Sequence, residues 1–276
     1  MDEEHDVDHS FLMSIKAFSE FTGISQSTLR YYDKIGLFSP SARGENGYRY
    51  YAPSQITAVN FVQVMNYLKV PLKTVKGLAE DRDPEQLAMT LMAQSAQLNE
   101  ELRRLSDLYA LISVYQKLIN EGLEARENHV YMRFLETSPL ALGPPATFES
   151  DGDFHEPFMD FYKEASLRRI NLAYPIGGYF DSMDTFLEAP GSPQRFYSLD
   201  PGGAEEFPGG RYLVGYNRGY YGEVSDLPQR LTAYAQEHEL EFVGPVYNLF
   251  ILDEVSIPDP NGYLLRASVA VKPKTK

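Results

Sequence analysis

Between Pro84 and Gly122 the chain carries neither glycine nor a second proline, and apolar residues return every seventh position at Leu91, Leu98, Leu105, Ile112 and Ile119. Glycine and proline are the residues that most often end or bend a helix, and Pro84 suits a first turn. The intervening positions, Leu87, Gln94, Glu101, Leu108 and Tyr115, complete an imperfect heptad that Leu102 and Leu118 widen. The spacing predicts one long helix over 84–122, ended by Gly122. Its apolar stripe supports an antiparallel or parallel two-helix coil, the alternative being a helix packed on its own domain. Such a helix divides the 276 residues into a smaller part before it and a larger part after it.

The two parts differ in charge. From Ser14 to Leu78 eight basic residues face three acidic ones, a net +5, so the remainder carries −19 of the overall −14. A basic module on an acidic body is the asymmetry of a nucleic-acid-binding head. There is no cysteine, which removes disulfides, zinc–thiolate sites and iron–sulfur clusters. The five histidines are scattered, so neither a metal nor a cofactor is expected. Met1–Ser10 is acidic, lacks the apolar core of a secretory signal and reads as a disordered tail (1–10). No apolar run reaches the roughly 20 residues needed to cross a bilayer. A cytoplasmic protein with no membrane partner is expected.

Residues 11–80 read as a winged helix-turn-helix. Ile15, Phe18 and Phe21 are spaced as one helix face, and Gly23 ends that helix. Ser25 caps a second helix to about Lys34, which Gly36 stops. This second helix offers Gln26, Ser27, Thr28, Arg30 and Tyr31 outward, with Leu29 and Tyr32 inward. Gly44-Glu45-Asn46-Gly47 is a turn, and Tyr48–Tyr51 alternates as a strand, making a wing from which Arg43 and Arg49 reach phosphates. Helices follow from about Ser54 to Tyr67 and from Leu72 to Leu78. Lys69, Lys73 and Lys76 cluster near their joint and suit a flanking phosphate.

The ordered run Thr28-Leu29-Arg30-Tyr31-Tyr32-Asp33-Lys34-Ile35-Gly36-Leu37, with Pro40 and Gly47-Tyr48-Arg49-Tyr50-Tyr51 downstream, resembles the head of MerR-family transcription regulators. Val70 departs from the glycine often found there. The resemblance implies DNA contacts from Lys16, Ser27, Thr28, Arg30, Tyr31, Arg43, Gly47, Tyr48, Arg49 and Lys69. It also implies an antiparallel homodimer through helix 84–122, with double-stranded promoter DNA and RNA polymerase as partners.

Residues 129–276 read as a duplicated α+β module with an antiparallel sheet. The first copy takes strands near 130–135, 174–180 and 195–199 and a helix over 156–169. The second takes strands near 211–216, 246–252 and 263–271 and a helix over 225–239. Gly210-Arg211-Tyr212, Gly219-Tyr220-Tyr221 and Gly244-Pro245-Val246-Tyr247-Asn248 resemble the GyrI-like effector-binding domain. With the head and the long helix, the order resembles multidrug-sensing MerR regulators of the BmrR type. The aromatic residues of this part suit stacking on flat ligands. The expected ligand contacts are Phe158, Tyr162, Tyr174, Tyr220, Asn248, Phe250 and Tyr263. Asn248 stands where the BmrR type has a glutamate. Either a nearby carboxylate (Asp160, Glu164, Asp181 or Glu223) replaces it, or the small hydrophobic or aromatic ligand is not a cation. No Ser/His/Asp arrangement offers a catalyst, so no enzyme is expected. The reading is a ligand-responsive regulator acting as an activator. A ligand-independent repressor and a DNA-tethered GyrI-like hydrolase are its alternatives.

Overall fold

The computed structural model describes residues 11–149, 155–168 and 170–274. The acidic segment 1–10 and Arg169, read above as a tail and a helix end, lie outside them. The chain forms two compact units, one ending at Leu105 and one beginning at Ser106.

The first unit contains β1 (Met13–Ser14), α1 (Ile15–Thr22), α2 (Gln26–Lys34), β2 (Ala42–Arg43), β3 (Arg49–Tyr51), α3 (Gln55–Tyr67), α4 (Leu72–Asp81) and the start of α5 (Pro84–Glu124). Local chemistry sets the helix ends. The Ser14 hydroxyl accepts from the Ala17 N–H, and Gly23, at φ 72°, closes α1. The Ser25 hydroxyl accepts from the Thr28 N–H and opens α2. The wing is a small antiparallel sheet ordered β1-β3-β2. Its turn closes with Gly44 N–H on Tyr48 O at 2.9 Å and Gly47 N–H on Gly44 O at 2.8 Å. Met13–Ser14 is a strand that the sequence reading left out. The core is an aromatic stack, with ring centroids 4.6 Å apart for Phe18 and Tyr51 and 5.8 Å for Phe38 and Tyr51. Leu29, Val59 and Met65 are fully buried around it. Side chains of this size contribute about 1.5–3 kcal/mol each on burial.

The second unit holds the rest of α5, then β4 (Val130–Leu135), β5 (Ser138–Pro145), α6 (His155–Arg168), β6 (Ile176–Phe180), α7 (Met183–Glu188), β7 (Arg195–Ser198), β8 (Glu205–Phe207), β9 (Gly210–Arg218), α8 (Leu227–Glu237), β10 (Leu240–Leu252) and β11 (Leu264–Pro273). The eight-stranded sheet has the order β4-β9-β11-β10-β6-β7-β5-β8, and every pairing is antiparallel. Two strand–helix–strand–strand halves are present and meet where β6 pairs with β10. Their composition corrects the sequence reading. The first half begins with β5, not with Val130–Leu135, because β5-β7-β6 mirrors β9-β11-β10. β4 is instead an added edge strand on β9.

Both faces of the sheet are covered. Leu213, Val246, Leu265 and Val269 pack with Phe186 of α7 and Leu227 and Leu231 of α8. On the other face Tyr212, Val214, Tyr247 and Leu249 pack with Leu118 of α5. Glu121 anchors α5 there: it accepts from Tyr216 Oη at 2.7 Å and from Arg266 Nη1 at 2.8 Å. Gly122 is a second correction. It lies inside the helix, which continues to Glu124. A Cβ there would come within 2.7 Å of Leu252 Cγ, so the glycine permits close packing and does not end the helix.

Candidate functional site

Polar and basic side chains of the head are exposed on α1, α2, the wing and the α3–α4 joint. At the start of α2, Ser25 Oγ lies 2.8 Å from Ser27 Oγ and 2.7 Å from Thr28 Oγ1, so both hydroxyls belong to the capping cluster. A helix N-terminus carries a partial positive charge and suits an anion. One turn on, Arg30 and Tyr31 are exposed while Leu29 and Tyr32 are buried, as their spacing required. Tyr48 is 61% exposed on the wing, whereas Tyr51 is in the core. Gly47 adopts φ 76°, a conformation that favours glycine. Lys16 is exposed and only 4.0 Å from Glu20, a pair of little energetic weight. Lys69 is exposed, at φ 58°, between α3 and α4. Lys76 Nζ donates to Ile35 O at 3.3 Å, at the C-terminal end of α2.

One carboxylate holds both arginines of the wing. Asp33 Oδ2 accepts from Arg49 Nε and from Arg43 Nη2, each at 2.6 Å. The Asp33 side chain is 4% exposed. Burial works against its charge, but the bonds from Arg49 and Arg43 prevail and hold the carboxyl below its ordinary value. The helix-turn-helix is thereby tied to the wing, with both guanidinium groups fixed in place.

The second unit encloses a cavity of about 290 Å³, the small end of the range for organic ligands. Phe158 and Tyr162 from α6, Tyr174, Phe196, and Asn248 and Phe250 from β10 line it. Gly177 and Gly178 on β6 contribute bare backbone, and Tyr115 enters from α5. The structure therefore brings together five expected ligand residues: Phe158, Tyr162, Tyr174, Asn248 and Phe250. Tyr220 and Tyr263 do not line the cavity. Tyr221 does, and it lies between Phe250 (4.7 Å between centroids) and Tyr263 (5.5 Å). The one-residue choice within Tyr220-Tyr221 falls in a turn, where strand alternation gives no guide.

The expected carboxylates are also elsewhere. Asp160 pairs with Lys163 and Glu164 with Arg168, both at 2.8 Å. Glu223 accepts from the Tyr220 N–H at 2.9 Å. Neither these nor Asp181 line the cavity; Asp253 and Glu254 do. Burial, opposed by the Val255 N–H and reinforced by Glu254, raises the Asp253 carboxyl above its ordinary value. Glu254 accepts from Tyr221 Oη. The helix and the cavity wall are stitched together: Tyr115 Oη donates to Ala173 O at 3.0 Å and Tyr174 Oη to Asp107 O at 3.4 Å.

A winged helix-turn-helix with a basic outer surface, followed by a long helix and an α+β module, defines the class of DNA-binding regulators. The profile of the MerR family regulatory protein matches residues 14–51. The HTH-type transcriptional regulator HmrR of Rhizobium leguminosarum bv. viciae is 33% identical over 101 residues, covering 35% of this chain and 78% of that one. Similarity extends further, at 25% identity over 245 residues, to the multidrug-efflux transporter 2 regulator of Bacillus subtilis (strain 168), covering 87% of this chain and 89% of that one. The multidrug-efflux transporter 1 regulator of the same organism is 25% identical over 252 residues, with 86% and 90% covered. The chain belongs to the MerR family of regulatory proteins.

Proposed function

We propose that the protein is a ligand-responsive transcription regulator of the BmrR type, an activator that binds promoter DNA as a cytoplasmic homodimer. Each head sets α2 in a major groove and its wing on the flanking backbone. Distortion of the promoter spacer then brings both promoter elements within reach of RNA polymerase, at a deformation cost of a few kcal/mol that a ligand-driven switch can govern. A small aromatic molecule in the cavity is the signal. Similarity along most of the chain to regulators of multidrug-efflux transporters supports the ligand class. The observation that carries the reading is the aromatic cavity with Tyr115 of α5 in its wall. Occupancy of such a cavity bears directly on the helix that joins head to body.

The test is binding to the DNA upstream of its own gene, followed by fluorescence anisotropy, with transcription measured in a purified system. Wild type should bind with a steep salt dependence, and aromatic ligands should raise transcript yield. Arg30→Ala and Arg49→Ala should each weaken binding and lower the salt slope by about one unit for each phosphate no longer neutralised. Unchanged slopes would remove those two residues from the DNA interface. Transcription unmoved by any aromatic compound would remove the sensor.

A further inference from the structure

Asn248 on β10 pairs with Gly178 on β6, and both line the cavity. The Gly178 N–H donates to Asn248 Oδ1 at 2.7 Å. A backbone N–H only donates, so the amide atom facing it is the oxygen, and this fixes the flip of the side chain. Gly178 makes the arrangement possible: a Cβ there would lie 2.4 Å from Asn248 Oδ1 and 2.8 Å from Pro193 Cβ. Tyr197 Oη holds the same residue from its backbone, donating to Asn248 O at 3.2 Å. The Nδ2 group is thereby turned away from Gly178. It forms no hydrogen bond among the described residues, and it is not one of the polar atoms sealed from solvent without a partner. Its N–H donors therefore open onto the cavity. A donor attracts an acceptor and repels a cation.

The opposite polarity lies further along the same chain. Asp253 Oδ1 accepts from the Val255 N–H at 3.1 Å, and Glu254 Oε2 accepts from Tyr221 Oη. The Asp253 carboxylate also meets its own backbone N–H, and among the described residues the second oxygen of Glu254 has no hydrogen bond. From Asn248 to the end of β10 at Leu252 the strand runs about 13 Å, at roughly 3.3 Å per residue, and Asp253 and Glu254 follow in the turn.

We propose that the cavity reads an elongated aromatic ligand by two unlike ends, a carbonyl or ether oxygen on Asn248 Nδ2 and an amine cation at Asp253 and Glu254. This rests on the reading of the cavity as the sensor site, and it names the ligand class: amine-bearing aromatic ketones and ethers rather than plain lipophilic cations.

The test is calorimetry on the intact protein with three matched probes. The first is acridone with a dimethylaminopropyl group on its ring nitrogen. The second has CH₂ in place of the carbonyl, and the third has propyl in place of the aminoalkyl chain. Wild type should bind the first most tightly, losing about tenfold on removal of either end, the scale of one hydrogen bond left unmade in a buried site. Asn248→Asp keeps an oxygen for Gly178 and turns the remaining donor into an acceptor. It should weaken both carbonyl probes and spare or strengthen the CH₂ probe. Glu254→Gln should weaken only the two amine probes. The wild-type series alone decides the matter if a variant fails to fold. Equal affinity for the carbonyl and CH₂ probes would overturn the proposal and leave the sensor reading standing. No binding of any probe would overturn both.

Discussion

Asp33 is one of only three acidic residues between Ser14 and Leu78, and it serves two arginines. Arg43 is half exposed, so solvent screens its share, and the Arg49 bond carries more of the energy. Asp33→Asn should cost about 1–3 kcal/mol, the scale of hydrogen bonds to a charged group. The sign with pH follows from the lowered carboxyl. Its contribution is complete above 3.8, the ordinary value, and is lost as pH falls through the lower folded value. Thermal melts of wild type and variant should therefore differ at neutral pH, begin to converge below about 3.8 and meet below the folded value. A gap that persists in acid would assign the loss to packing. The sequence made Arg43 and Arg49 legible as basic wing residues. It did not reveal their shared partner, because pairing Asp33 with Arg49 requires the fold to bring α2 against the wing. The same limit explains Asp253 and Glu254: they follow the last residue of β10, and only the folded turn places them in the cavity wall.

Elements with strong local signals were legible to within a residue or two. Capping serines, αL glycines and apolar spacing placed α1, α2 and α3. The misreadings came where one residue type serves two purposes. Glycine stops helices, but it also lets a helix approach a neighbour, and Gly122 does the latter. Gly122→Ala gains about 1 kcal/mol of helix propensity but drives a methyl against the branch point of Leu252, and overpacking of this kind costs about 1–3 kcal/mol. The variant should be less stable in urea denaturation. Leu252→Ala should cost less in the Gly122→Ala background than in wild type, which would make the two changes non-additive. Additive losses would mean that Gly122 matters for backbone reasons alone. Proline explains the missed β5. Pro139, Pro144 and Pro145 argue against a strand. Yet Ser138–Leu140 pairs with β8 and Ala141–Pro145 with β7, so each stretch has a side with no ladder to interrupt.

At the scale of the molecule, charge and heptad spacing predict a basic head, a long helix and an acidic body, whereas the two compact units part within the long helix, between Leu105 and Ser106. The heptad residues Leu91, Leu98, Leu105 and Ile112 are between 41% and 54% exposed in the single chain. We propose that a second copy packs along this stripe. Leu98→Glu should convert a dimer into a monomer in sedimentation velocity and abolish high-affinity promoter binding. The body should keep its melting transition, since Leu98 lies outside the second unit. A dimer that survives this change would move the interface off the stripe.

The junction of the two halves has a further meaning. Two identical strand–helix–strand–strand units joined edge to edge would form a two-fold symmetric pocket, with the same chemistry at either end. In this chain one of the four paired positions across the seam sets Gly178 against Asn248, a residue with no side chain opposite one with an amide. The two sides of the seam therefore differ in chemistry at this position. A molecule lying across that seam meets a different environment at each end, so it has one preferred orientation rather than two. Direction is a property that neither half possesses alone.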